Sequence, residues 1–187
     1  MRHKLTDIIT AFQELVKADQ DTTLRCNSFV YEEASNLQAS NLNKGYLNYQ
    51  GSDYVYKRNW TNRSQKQGFD FPLLVLAPFD FSDSDPFGEN PIREYRCRFT
   101  CLFNSTDGKI EDLISDSELL IRRYLKAFLS HKEAARNVDN CEPVYEIQSI
   151  EGYAKIEYEL GGVLGVGVVV AANIVCQLDY EEGSFKF

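Results

Sequence analysis

Hydrophobic positions along this chain recur with two different periods. Leu5, Ile8, Ile9, Phe12, Leu15 and Val16 follow the i, i+3, i+4, i+7 spacing of one buried stripe, which predicts an amphipathic N-terminal helix within residues 1–18. From Ile110 to Ser130 the same period returns, with Leu113, Ile114, Leu120, Ile121, Tyr124, Leu125 and Phe128 on one face. Thr106 or Asp107 is placed to cap the start of this helix, because a side-chain oxygen there accepts an orphan backbone N–H. Acidic Glu111, Asp112, Asp116 and Glu118 come early and basic Arg122, Arg123, Lys126, His131 and Lys132 late, a polarity that complements the helix dipole.

Elsewhere the period is two. Tyr95, Cys97, Phe99, Cys101 and Phe103 alternate with Arg96, Arg98, Thr100 and Leu102, the pattern of a strand with one buried face. Ala154, Ile156, Tyr158 and Leu160 alternate before Gly161-Gly162, and Val166, Val168, Val170, Ala172, Ile174, Cys176, Leu178 and Tyr180 alternate after it. Together they predict a long antiparallel hairpin. Phe71 to Ala77 is a short, nearly continuous apolar strand between Pro72 and Pro78, and Thr22 to Glu32 and Gly45 to Lys57 are weaker strands. Strands segregated from two helices indicate an α+β fold: an antiparallel sheet with both helices packed on one face, not a parallel βαβ arrangement. No repeat, low-complexity tract or linker divides the chain, so 1–187 reads as a single domain, with 45–68 and 79–92 as extended loops.

Composition narrows the function classes. A chain of 187 residues with 43% hydrophobic residues can fill one core, which excludes disorder, collagen and small disulfide scaffolds. Its 28 acidic against 20 basic residues give a net charge of -8, which argues against a dedicated nucleic-acid binder. The start lacks the apolar core of a signal peptide. The most apolar run, Val163 to Ala172, is ten residues, half of the roughly 20 a membrane helix needs. The five cysteines (Cys26, Cys97, Cys101, Cys141, Cys176) include no C-x-x-C and no zinc spacing. Free thiols in a reducing cytoplasm are the expectation.

Catalytic motifs are missing. The two histidines, His3 and His131, have no Ser, Cys or Asp at a recognisable spacing, and His131 reads as a surface cation at a helix end. Gly161-Gly162-Val163-Leu164-Gly165-Val166-Gly167 lacks the Lys-Ser/Thr of a phosphate loop, so it reads as a turn and a strand whose glycines allow close packing. Asp83-Ser84-Asp85 lacks the EF-hand spacing and its closing Glu. No metal and no cofactor are expected. Two stretches carry more information. Lys57 to Gly68 holds four bases, including Arg58, Arg63 and Lys66, with Trp60 among them and no acid. Phe79 to Pro91 holds four acids (Asp80, Asp83, Asp85, Glu89) and no base, with Phe81 and Phe87 interleaved. Solvated loops are the plain reading of both. Exposed aromatics among polar residues are also how interfaces anchor, and opposite charges on two patches suit a head-to-tail ring contact.

The order of elements resembles the tail-completion, tail-terminator and neck-ring proteins of tailed bacteriophages. The likeness is carried by the helix from Leu5 to Val16, the strand Phe71-Pro72-Leu73-Leu74-Val75-Leu76, the helix from Ile110 to Ser130 and the closing β segments from Val144 to Tyr180. It implies a non-enzymatic virion subunit, assembled in the host cytoplasm into a homo-oligomeric ring between portal and tail. Its partners are then portal, neck or tail proteins, with DNA passing through an acidic or neutral lumen without sequence-specific contacts and with no membrane span. The rival expectations are a small α+β enzyme or ligand-binding domain whose site is assembled only in space, and an adaptor or baseplate-like subunit of a phage-tail-like injection machine. The N-terminal helix either packs on its own sheet or docks on a neighbour.

Overall fold

The N-terminal stripe forms α1 (Lys4–Ala18), and the second stripe forms α2 (Ile110–Asp139). A computed structural model describes residues 4–31, 70–84, 92–139, 145–160 and 163–177. Within these are five strands: β1 (Ser28–Tyr31), β2 (Leu73–Ser84), β3 (Ile92–Asn104), β4 (Tyr145–Leu160) and β5 (Val163–Gln177). They form one sheet in the order β1-β2-β3-β5-β4. The fold is α+β and mostly antiparallel, with the two expected helices on one face.

Four expectations change. First, β1 pairs parallel to β2, Ser28 beside Leu73 through Tyr31 beside Leu76. A parallel pair needs a long crossover, so local patterning could not announce it. Second, β2 does not stop at Ala77. It runs to Ser84, so Asp80, Phe81 and Asp83 sit on a strand and not in a loop spanning 79–92. Pro78 is accommodated at a bulge, where β2 advances two residues (Pro78 to Asp80) against one on β3 (Cys97 to Arg96). Third, α2 continues to Asp139, so His131 lies within the helix and not at its exit. Fourth, the capping position belongs to Lys109, whose carbonyl accepts the Leu113 N–H. Thr106 instead donates its hydroxyl to Asn104 Oδ1, in the turn that ends β3.

Alternation predicts the buried face well. Leu74, Leu76, Tyr95, Cys97, Phe99, Cys101, Phe103, Val168, Val170, Ala172, Ile174 and Cys176 point to the helices and meet Ile8, Ala11, Phe12, Val16, Leu113, Leu120, Ile121, Tyr124, Leu125 and Phe128. The apolar stripe of α1 is therefore consumed in its own core. Phe12 stacks on Phe128 (4.9 Å, 10°) and tilts against Phe99 (4.9 Å, 54°), while Phe128 meets Tyr145 edge-on at 5.4 Å. One aromatic cluster thus joins α1, α2, β3 and β4. The far face carries a smaller cluster of Val30, Leu73, Val75 and Leu102, which explains why residues 71–77 read as continuously apolar: β2 is buried on both sides.

Glycine chemistry matters at two points. A Cβ on Gly167 would lie 1.8 Å from the Cys101 carbonyl oxygen and 2.8 Å from Ser117 Oγ, so β5, β3 and α2 close together only over hydrogen there. Gly152 takes φ +69° in β4, where the register slips between Glu151 and Ala154. A second slip lies between Ile147 and Ser149. Each bulge reverses which parity faces the helices: Ile147 and Ile150 pack into the main core, whereas Ile156 packs on the far cluster.

Candidate functional site

Of the two charged stretches, only part of the acidic one lies among the described residues. Arg58, Trp60, Arg63 and Lys66 lie outside them, as do Asp85, Phe87 and Glu89. Asp80, Phe81 and Asp83 stand on the outer half of β2, each directly opposite a residue of β3. Cross-strand neighbours lie about 5 Å apart, close enough for side chains to pair. Asp83 is held in a fork by its partner Arg93, with Nε 2.5 Å from Oδ1 and Nη2 2.8 Å from Oδ2. Arg96, opposite Asp80, places Nη1 3.6 Å from its Oδ2 and Nε 3.5 Å from Glu94 Oε1. The Arg93 guanidinium also lies 5.8 Å from the centre of the Phe81 ring, which is nevertheless 67% exposed. Hydrogen bonds from Arg93 hold the Asp83 carboxyl below the usual range, and the same fork raises Arg93 above its own.

This corner is thus a paired arm with one aromatic ring open to solvent. Sequence reading missed Arg93, and a signal for it existed: Asp80 and Asp83 stand as far before Gly88 as Arg96 and Arg93 stand after it, the symmetry of a hairpin.

A second polar arrangement, also missed, ties the exit of α1 to α2. Tyr124, one of the apolar stripe, donates its hydroxyl to Asp19 Oδ2 at 2.6 Å and accepts the buried Cys26 N–H at 3.0 Å. Arg123 pairs with Asp19, and with Asp21 at 2.9 Å. Burial pushes the Asp19 carboxyl up, but Tyr124, the Asp21 N–H and Arg123 outweigh it and hold it below its usual value. Asp21 is drawn down to about 2, chiefly by the Thr23 N–H and hydroxyl. Burial and the neighbouring Asp19 raise Tyr124. These groups are engaged with one another, which is the signature of a clamp. The sequence hint was a Tyr in place of Phe in the stripe, with two Asp at the helix exit.

No protein-family model matches the chain, and no curated protein sequence matches it.

An open groove of about 640 Å³ lies where β1 and β2 begin and β3 ends, lined by Arg25, Asn27, Asp70, Phe71, Asn104 and Asp107. Its polar groups are largely turned on the protein: Asn27 Nδ2 donates to the Phe71 carbonyl at 2.7 Å, and Arg25 bonds Asn27 Oδ1 and the Asp19 carbonyl, both at 3.2 Å. His131 is exposed on α2, 3.9 Å from the Glu14 carboxylate. Among the described residues no group of three or more His, Cys, Asp or Glu side chains is placed to hold a metal ion, and no helix is long and apolar enough to cross a membrane. Cys26, Cys97, Cys101 and Cys176 are buried with no disulfide between them, while Cys141 lies outside the described residues. Burial pushes the Cys97 thiol up to about 12, far from a nucleophile's range.

Proposed function

We propose that this protein is a non-enzymatic structural subunit of a phage head–tail connector or tail-completion ring. In this reading it assembles in the host cytoplasm, joins the portal side to the tail, and leaves a channel for DNA. The observation that carries the reading is the element order: an N-terminal helix, the strands of a sheet, one long helix on the same face, then a closing hairpin. The arm of β2 and β3 supports it in a second way. Phe81 stands exposed on a strand beside the Arg93–Asp83 pair, the arrangement of an interface anchor with a polar rim.

Light scattering after size exclusion tests the proposal, at low and high salt and with portal-side proteins added. A ring of several subunits is expected, and assembly weakens as salt screens the rim charges over about 8–10 Å. A strict monomer under every one of these conditions overturns it. The groove beside Arg25 and Asp70 favours one rival, a binding domain for a small polar ligand. Thermal-shift screening with small anions, cations and zwitterions separates the two. A saturable shift lost in Arg25→Ala would put the ligand-binding reading first.

A further inference from the structure

We propose that Cys26 and Cys101 form a disulfide when the protein meets a low-molecular-weight disulfide such as oxidised glutathione, latching the connector between α1 and β1 onto the sheet. The two sulfurs already lie 3.9 Å apart, although 75 residues separate them in sequence. Both side chains are almost wholly removed from solvent. A disulfide needs the sulfurs at about 2.05 Å, so a gap of roughly 2 Å has to close. Cys101 sits on β3, paired on both sides and unable to shift. Cys26 sits outside regular structure, in a connector whose residues 20–23 are exposed. The movement therefore belongs to the connector.

The chemistry balances without any group the protein lacks. With the connector lifted, the Cys26 thiol loses its proton to water and attacks one sulfur of oxidised glutathione, giving a mixed disulfide and one glutathione thiolate. Cys101, deprotonated in turn, attacks the Cys26 sulfur and expels the second glutathione thiolate. Two protein thiols are oxidised, one small disulfide is reduced, and both thiolates take up the released protons. Burial holds the Cys101 thiol well above its usual pKa, so attack by a closed protein is slow and the opening of the connector sets the rate. That opening is opposed by the Tyr124 hydroxyl, which accepts the Cys26 N–H and grips Asp19.

The test is peptide mapping of the native chain after exposure to oxidised glutathione, with remaining thiols alkylated on quenching. The expected product is 2 Da lighter by the loss of two hydrogens from its two thiols (roughly 1 Da each), carries a Cys26–Cys101 cross-linked peptide, and unfolds several degrees higher without reductant. Cys97→Ala and Cys176→Ala retain the link, and Cys26→Ala abolishes it. Tyr124→Phe accelerates it by at least about fivefold, the change expected when the buried Cys26 N–H loses its acceptor and Asp19 loses the hydroxyl. A native chain that keeps all its thiols, or one that links a different pair, overturns the proposal. So does a link that forms only in urea, because the folded juxtaposition would then play no part.

Discussion

At the middle of the sheet, Phe12, Phe99 and Phe128 press ring against ring beneath two helices, and the residues around them are fully buried. At the outer half of β2 and β3 the same ladder continues, but its cross-strand partners become Asp83 with Arg93 and Asp80 with Arg96, and Phe81 faces water. Backbone pairing is regular on either side of the bulge at Pro78, so hydrogen bonding does not distinguish the two places. What differs is the apolar area removed from water, worth about 25 cal/mol per Å², and the screening of charge at an exposed site. The centre holds the fold, and the arm is free to vary its chemistry without unfolding it. A protein that presents a surface to partners needs both properties.

The comparison breaks first at its stable end. Phe128→Ala removes the ring that stacks on Phe12 and meets Tyr145, and should cost about 3–5 kcal/mol in denaturant unfolding. A loss below about 1 kcal/mol would mean the aromatic cluster does not anchor α2. Gly167→Ala comes next: its methyl would meet the Cys101 carbonyl, a backbone atom that cannot rotate away, and overpacking of this kind costs about 1–3 kcal/mol or more. Tyr124→Phe keeps the ring but leaves the buried Cys26 N–H without its acceptor, for about 1–3 kcal/mol.

The same clamp gives the molecule an acid limit. Asp19 and Asp21 both have folded-state pKa values below their ordinary 3.8, Asp21 at about 2. A depressed carboxyl contributes its stability above the unfolded value and loses it as pH falls through the folded one. The urea midpoint should therefore hold between pH 7 and 5 on this account and fall between about 4 and 2. In Asp19→Asn/Asp21→Asn the midpoint is lower at pH 7 and the acid-dependent fall is reduced. An unchanged acid profile in that variant would remove the clamp from the acid transition.

How far the sequence reveals these regions follows from the range of each signal. The helical stripes and the alternation of β3 and β5 are local and survive into the structure, because the register of β3 on β5 runs from Ile92–Gln177 to Asn104–Gly165 without a slip. The faces of β4 are not legible in the same way, since two bulges each reverse the parity, and Ile150 and Ile156 end on opposite faces. The parallel pairing of β1 depends on a partner more than 40 residues away. Asp80 and Asp83 read as loop because Asp, Ser and Pro are turn residues; only the facing arginines make them tolerable in a strand. The clamp was hidden for a different reason, as Tyr124 fits an apolar stripe by its ring and reveals its hydroxyl only in space.

The smallest stability effect belongs to the arm, and it is the sharpest test of the comparison. Arg93 and Asp83 are 25% and 32% exposed, so their pair contributes only about 0–1 kcal/mol despite its forked geometry. Reversing Asp83 alone would both remove a charge from the surface and set two cations against each other, so a defect in assembly could have either cause. Exchanging the two residues, Asp83→Arg with Arg93→Asp, keeps an opposite-charge pair across the ladder and only relocates the charges. The expected monomer unfolds within about 1 kcal/mol of the parent. If the arm meets a basic patch on a neighbouring subunit, that same protein assembles poorly at low salt, because the patch now faces a cation. If the exchanged protein assembles like the parent, the charges of the arm serve only to hold β2 against β3, and any contact there rests on Phe81.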